Sequence, residues 1–510
     1  MDRKFISKYV ERFFHLYWKE NIDDVLFILS QVVCLLYQRS MDDLEVEKVK
    51  LNDSLFLEDD SSEKCSWEYM KGLNEEDFLE NYEDNIIPFL EAQKVFGHSL
   101  LALVNLSKFK NLKTMHLTYE LFLLIVDLFH ELEVMLGTKH ISACVYGLIY
   151  EELLKWYHQS TPKGKISVPS HITRLMAELL QPNLSDTLYI PTLGSGDLLV
   201  SAYQKLIGDE LPEDHVEFDV DGFRFGDVSQ TKLAKDDLKM FVCDGNLRSE
   251  DSLFLCIMNF YFHGMSLEQS FTVQEPLSYS YKSPHAIYSK IMLAPLLPST
   301  VKDVPNLDEN LQVQVGKNQP AMYFVRSLEQ LENGGRLVAL MPDSFLFGQD
   351  KAITKFRTRL LEQYDLEAVI SLPSGVLAPF ANIKTSIVVL FNQKPTHGDV
   401  WMCELKNDGY SLNSKRQRNA EYPLPKLIAN FKERAEEHDG QMDSFLVSKE
   451  EILNHRSAWI VSFFNDYDII TKESFDDPFK ILATLKKLEG TIHSELEDLS
   501  TLLGDGKILG

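Results

Sequence analysis

The chain has 510 residues, 45% hydrophobic and 25% charged, the balance of a globular protein with room for two or three domains. Its 51 Lys and Arg against 77 Asp and Glu give a formal charge of −26. Such a surface is a poor non-specific binder of polyanions, because DNA affinity rests on cations that neutralise phosphates, so any DNA contact needs a local basic surface or a basic partner.

Residues 1–160 read as an N-terminal helical domain. Tyr9, Phe13 and Tyr17 recur at helical spacing, and Leu26–Leu36 forms an apolar stripe that ends in a polar stretch. Residues 48–84 are acidic and aperiodic and read as a loop or loose insertion; 96–136 and 140–157 return to helical patterning. The charged, aromatic start, Asp2–Phe14, has no secretory apolar region. No apolar run reaches the roughly 18 residues of a membrane span. The six cysteines, Cys34, Cys65, Cys144, Cys243, Cys256 and Cys403, contain no CxxC pair and have no histidine cluster nearby. They argue against a metal site and for a reducing, cytoplasmic compartment.

From 161 to 430 short apolar runs alternate with amphipathic segments. Candidate strands are Thr187–Ile190, Met240–Cys243, Phe271–Val273, Lys290–Leu293, Arg336–Met341, Leu366–Ile370 and Thr385–Phe391. Strands alternating with helices predict an α/β domain with a mainly parallel, doubly wound sheet, whose ligand site lies beyond the carboxyl ends of the strands. Residues 431–510 read as a polar tail. Its helix near 478–503 carries Leu482, Leu485, Leu488, Ile492, Leu496 and Leu499 on one stripe, which packs either on its own domain or on a partner helix.

The first candidate site follows strand Thr187–Ile190, in PTLGSGDLL (Pro191–Leu199). Gly194 and Gly196 allow a tight turn and a close backbone approach at a helix start; a plain strand-to-helix turn would use them as well. The second predicted strand ends at the carboxylate Asp244, either a grip for a ribose hydroxyl pair or a solvated acid.

Read in order, the segments resemble the modification subunit of type I restriction–modification systems, an adenine-N6 DNA methyltransferase family. PTLGSGDLL resembles the family's DPACGSGGFL cofactor loop, and Met258–Met265 the helix after its second strand. Gly334–Phe347 and Asp365–Phe391 resemble its later strands, including the LPSGVF and KTNILFF segments. Val400–Asn419 resembles its VWFYDLRNDGFSL stretch, and Ser30–Asp43 its N-terminal LLFLKRISD helix. The resemblance covers about 30–470. It implies a Rossmann-like methyltransferase sheet flanked by an N-terminal helical domain and a C-terminal helical tail. It further implies S-adenosylmethionine as cofactor, held around Pro169, Pro191, Gly194, Ser195, Gly196, Asp244 and Glu275. The implied partners are DNA, a specificity subunit that reads sequence, and a restriction subunit that joins them.

At the chemical centre the pattern breaks. The family's box is Asn-Pro-Pro-Phe or Tyr: the Asn oxygen and a backbone carbonyl accept the N6 hydrogens of a flipped adenine, and the aromatic ring stacks on it. As positive charge grows on N6, these acceptors stabilise the transition state more than the ground state. Here the box is Ala294, Pro295, Leu296 and Leu297, without side-chain acceptor or stacking face. Ile190, Leu193, Asp197 and Leu198 replace the family's Asp, Cys, Gly and Phe in the cofactor loop, and Ser167-Val168-Pro169 replaces its Tyr-Thr-Pro. The expectation is a catalytically weak or inactive homologue. The alternatives are a non-catalytic scaffold or DNA-binding subunit of a restriction or phage-defence complex, and a sensor that binds a nucleoside ligand. The basic cluster Lys415-Arg416-Gln417-Arg418 is either a nucleic-acid contact or a solvated turn.

Overall fold

The computed structural model describes residues 3–49, 63–95, 98–99, 112–160, 167–214, 216–226, 230–233, 242–247, 250–265, 269–281, 287–295, 304, 306–396, 398–413, 416–419, 422–465, 482 and 485–496. Residues 1–461 form one compact unit and 462–510 a second.

The N-terminal helices are α1 (Arg3–Trp18), α2 (Val25–Val49), α3 (Leu112–Leu136) and α4 (Ala143–Ser160). The spacing read from α1 holds, with Ile6, Tyr9, Phe13 and Tyr17 buried together. The stripe at Leu26–Leu36 belongs to α2, which continues to Val49. The segment expected to be a loop is a correction. Beyond the undescribed 50–62, short helices lie between residues 67 and 92, two of them capped by the side chains of Ser66 and Asn74. Their acids face water while Trp67, Met70, Phe78, Tyr82 and Ile86 are buried, Trp67 and Phe78 against Phe122 of α3 at 4.8 and 4.7 Å. Each helix is too brief to register a periodicity, and packing on α3 supplies what propensity does not.

The second half is organised by a ten-stranded sheet. In chain order its strands are β1 (Thr187–Ile190), β2 (Val242–Leu247), β3 (Gln269–Val273), β4 (Tyr288–Leu293), β5 (Leu331–Pro342), β6 (Asp365–Ser371), β7 (Thr385–Phe391), β8 (Asp399–Leu405), β9 (Glu437–His438) and β10 (Met442–Ser448). Across the sheet the order is β3-β2-β1-β4-β5-β7-β6-β8-β10-β9. The first five strands run parallel, with the order reversing between β1 and β4. Helices α5 (Ser170–Leu180), α6 (Asp197–Glu210), α7 (Glu250–Phe262), α8 (Gln319–Gln330) and α9 (Lys351–Gln363) connect or flank them. The doubly wound reading is therefore correct, with one addition: β7 inserts antiparallel to both β5 and β6. A hydrophobic run such as Thr385–Phe391 looks the same whichever way its neighbours point, so orientation was not legible in it. The sheet also continues past residue 430, where β10 pairs antiparallel with β8 over Met442–Ser448.

Asp365 opens β6 and is buried, accepting from the Thr396 hydroxyl and backbone N–H and from Lys449 Nζ at 2.9 Å. Burial pushes its pKa up, but those donors outweigh it and hold the carboxyl at about 2. With the folded value depressed, its contribution is present above the unfolded carboxyl range and lost as pH falls through about 2. Asp365→Asn is expected to cost about 1–2 kcal/mol at pH 7. The gap from the parent should close below about pH 3; urea midpoints measured from pH 2 to 7 check this.

Candidate functional site

The site sits where the strand order reverses. The turn after β1 carries Pro191, Thr192, Leu193 and Gly194, and α6 begins at Asp197 with Gly196 as its N-cap. Leu193 N–H donates to the Asn246 carbonyl at the end of β2, 3.1 Å away, and Gly196 N–H to the Leu193 carbonyl at 2.8 Å. Both glycines have positive φ, +58° at Gly194 and +89° at Gly196, as the turn requires.

The two glycines face different surroundings. A Cβ at Gly194 would meet nothing within 4 Å, whereas one at Gly196 would lie 2.7 Å from the Phe260 ring of α7. Gly196 thus serves helix packing, and Gly194 borders open space. Gly194→Ala is expected to cost about 1–2 kcal/mol, the price of the backbone conformation. Gly196→Ala adds overpacking of roughly 1–3 kcal/mol. Melting temperatures of the two variants would rank them, and equal shifts would contradict the assignment.

At the start of α6 the Asp197 carboxylate is held on both oxygens. Ser195 Oγ donates to one at 2.7 Å and Asn259 Nδ2 to the other at 3.1 Å. The same Asn259 amide donates to the Ser195 carbonyl at 2.9 Å, and His158 Nε2 lies 3.4 Å from Ser195 Oγ. Burial keeps Asp197 above the usual carboxylate pKa despite the Ser195 hydrogen bond.

Ala294 and Pro295 directly follow β4, and the Ala294 N–H donates to Thr192 Oγ1 at 3.4 Å. The box position and the glycine turn are therefore neighbours. Leu296 and Leu297 lie outside the described residues. Glu275 follows β3 and accepts from the Tyr323 hydroxyl of α8 at 2.6 Å.

Asp244 sits differently from its expected place. The strand runs on to Leu247, so Asp244 lies within it rather than at its end. It is buried, and the Tyr288 hydroxyl of β4 donates to it at 2.6 Å. Tyr288 also stacks on Tyr189 at 4.8 Å. Tyr189 and Tyr281 in turn both donate to Asn246 Oδ1, at 2.7 and 3.0 Å. A tyrosine cluster inside the sheet layer thus engages the polar side chains of β2.

The cavity at this end of the sheet has a volume of about 630 Å³. Ser167, Val168 and Pro169, at the entry to α5, form one wall with Asp197. Three further parts of the chain complete it, and sequence reasoning assigned none of them to the site: Arg3 and Lys4 of α1, Glu151, Lys155 and His158 of α4, and Ala378–Phe380 after β6. The α4 residues recur at helical spacing, a signal that could have been read. Arg416 and Arg418 of the basic cluster also line it, with Tyr410; Lys415 lies outside the described residues.

The cavity's charges are heavily paired. Arg3 meets Glu151 at 2.8 Å, and Arg174 meets Glu151 at 3.5 Å and also Asp219. Burial alone would raise the Glu151 pKa, but Arg3, His263 and Arg174 drive it far below the ordinary range. Asp408 accepts from Arg416 and lies 2.9 Å from His171 Nε2, while the His171 ring stacks on Tyr410 at 4.4 Å. Among the described residues no cluster of three or more His, Cys, Asp or Glu could hold a metal ion, and no helix is long and apolar enough to cross a membrane.

A sheet of this order with a glycine turn at its switch point defines a methyltransferase-type α/β protein. Among solved structures the fold matches a type I restriction–modification methyltransferase subunit from Streptococcus thermophilus, with a TM-score of 0.64 at 14% identity over 91% of this chain and 99% of that one. It also matches a chain of a type I restriction–modification system, with a TM-score of 0.61 at 18% identity over 99% and 100% of the two chains. The chain belongs to the N-6 DNA methylase family, whose model matches residues 142–462. It is 24% identical over 372 residues to the methylase subunit of the Escherichia coli type I restriction enzyme EcoEI, covering 71% of this chain and 69% of that protein.

The family implies S-adenosylmethionine, and the described residues do not fit it. The Asp197 carboxylate occupies the helix start where the cofactor's own carboxylate would be drawn. Among the described residues no carboxylate ends β2, whose last two positions are Asn246 and Leu247. Ala294 presents no side-chain acceptor toward a base.

Proposed function

We propose that the chain is the modification-type subunit of a type I-like restriction–modification assembly, and that its own transfer of methyl from S-adenosylmethionine to adenine N6 is weak or lost. It reaches DNA through a separate specificity subunit, which a restriction subunit joins, and it contributes scaffold and partner surface. The observation that carries the reading is Ala294, set beside the glycine turn where the family's acceptor belongs. In support of a partner, Leu482, Leu485, Leu488, Ile492 and Leu496 are all exposed, an apolar stripe of the kind a partner helix covers. The sites Pro169, Pro191, Gly194, Ser195, Gly196, Asp244 and Glu275 are retained in this proposal as remnants of a cofactor site.

Calorimetric titration of S-adenosylmethionine into the purified chain, alone and with any co-encoded specificity subunit, tests this. The expected result is no binding in the micromolar range in either state. Micromolar binding would overturn the loss of cofactor chemistry. A chain that forms no complex with a specificity subunit would overturn the assembly role. A second reading, a sensor of a nucleoside-type ligand, is favoured by the cavity beside α4 and α5.

A further inference from the structure

Asp244 and Asn246 of β2 and Glu275 after β3 are each engaged by a tyrosine from elsewhere in the chain. The Tyr288 hydroxyl donates to Asp244 and the Tyr323 hydroxyl to Glu275, each at 2.6 Å. Asn246 Oδ1 lies 2.7 Å from the Tyr189 hydroxyl and 3.0 Å from that of Tyr281, and those two hydroxyls lie 2.7 Å apart. Tyr189, Tyr288 and Tyr323 stand on β1, β4 and α8; Tyr281 arrives on the loop after β3. That loop is braced. Tyr279 N–H donates to the Asn306 carbonyl at 3.0 Å and Asp308 N–H to the Leu277 carbonyl at 2.9 Å. Arg326 of α8 joins the Pro276 carbonyl and Asp308 at 2.9 Å each. The Tyr281 ring is thus held in place in advance, at little further entropic cost.

In open α/β sheets a polar side chain toward the end of the second strand grips a ribose, and the start of the first helix draws an anion. Both places are filled here. At the helix start the anion is the Asp197 carboxylate, held by Ser195 and Asn259 and favoured by the helix dipole. At the strand end the hydroxyl is that of Tyr281. The cavity reaches Asp197, but among the described residues none of its lining comes from β2 or from the loop after β3. We infer that the nucleoside site of this fold is closed from within, Tyr281 taking the ribose position on Asn246 and Asp197 the carboxylate position at the start of α6. A ligand entering there must displace a braced ring and break buried hydrogen bonds. The inference rests on the loss of cofactor chemistry proposed above and deepens it by naming the groups that block the site.

The test is calorimetric titration of the full chain with adenosine and with S-adenosylhomocysteine, which adds a carboxylate to the same nucleoside, beside melting curves with each. The parent is expected to bind neither, its melting temperature unmoved by either at about 1 mM. Tyr281→Ala uncovers Asn246 and is expected to bind adenosine at least about tenfold more tightly than the parent. Tyr281→Phe keeps the ring and stays closed. S-adenosylhomocysteine is expected to bind only when Tyr281→Ala is combined with Asp197→Asn. A Tyr281→Ala chain that melts cooperatively yet binds no adenosine would overturn the inference, as would S-adenosylhomocysteine binding to that single variant. Adenosine binding by the parent would overturn it without any variant and favour the ligand-sensing reading. The two readings fail separately: a Tyr281→Ala chain blind to adenosine leaves the loss of cofactor chemistry standing, and a chain that joins no specificity subunit leaves the closed site standing.

Discussion

Arg357→Met is expected to destabilise the compact unit by roughly 3–5 kcal/mol, among the largest effects of any single side chain. The guanidinium is 1% exposed, and every contact it makes is with a backbone carbonyl. Nε donates to Ser457 at 2.7 Å, Nη1 to Phe345 at 2.7 Å and Nη2 to Gly348 at 3.0 Å. Burial lowers its pKa to about 10, which still leaves it charged at neutral pH. It ties α9 to the end of the short helix Asp343–Phe347 and to the segment after the last strand, where Trp459 N–H also donates to the Leu346 carbonyl at 2.9 Å. Methionine matches the stem's volume but takes the donor from the buried Phe345 and Ser457 carbonyls, each such loss costing about 1–3 kcal/mol, while the half-buried Gly348 carbonyl keeps the Thr354 hydroxyl at 3.4 Å. Arg357→Lys recovers part of this, since one ammonium cannot span three diverging acceptors. A urea midpoint shift equivalent to less than about 1 kcal/mol for the methionine variant would show that the segment after Ser448 is held by its apolar contacts instead.

The second large effect concerns the reaction. Assembled with its specificity subunit and DNA, the chain is expected to transfer tritiated methyl at least about 10²–10³-fold more slowly than a family member with an intact box, the cost of one lost preorganised polar group. Loss of base stacking adds roughly 1–3 kcal/mol. Ala294→Asn restores the acceptor alone. It leaves the Asp197 carboxylate at the start of α6 and the Asp244–Tyr288 pair in place, so its rate should stay at background. Ala294→Asn with Asp197→Gly is the informative variant. Gain of transfer there, and not in the single variants, would locate the block in the cofactor loop; robust transfer by the parent chain would overturn the proposal outright.

What the sequence determined by itself is whatever depends on residue identity and short-range order. The alternation of apolar runs with amphipathic segments specified the α/β class, because strands of period two and helices of period 3.6 cannot exchange patterns. The PTLGSGDLL segment marked a tight turn after the first strand, since its glycines are written into the chain, and the fold placed that turn where the strand order reverses. The missing acceptor at Ala294 was equally plain, because no packing can supply an atom the side chain lacks. Tertiary structure decided the rest. Asp244 reads as a strand-end acid, but β2 runs three residues further and a buried tyrosine of a neighbouring strand claims its carboxylate, a matter of register that one strand cannot encode. The antiparallel insertion of β7 is likewise a property of pairing. The cavity gathers Arg3, Lys155, Phe380 and Arg418 from four distant stretches. Nothing in the sequence ties these four to one another, and the fold alone brings them to one cavity.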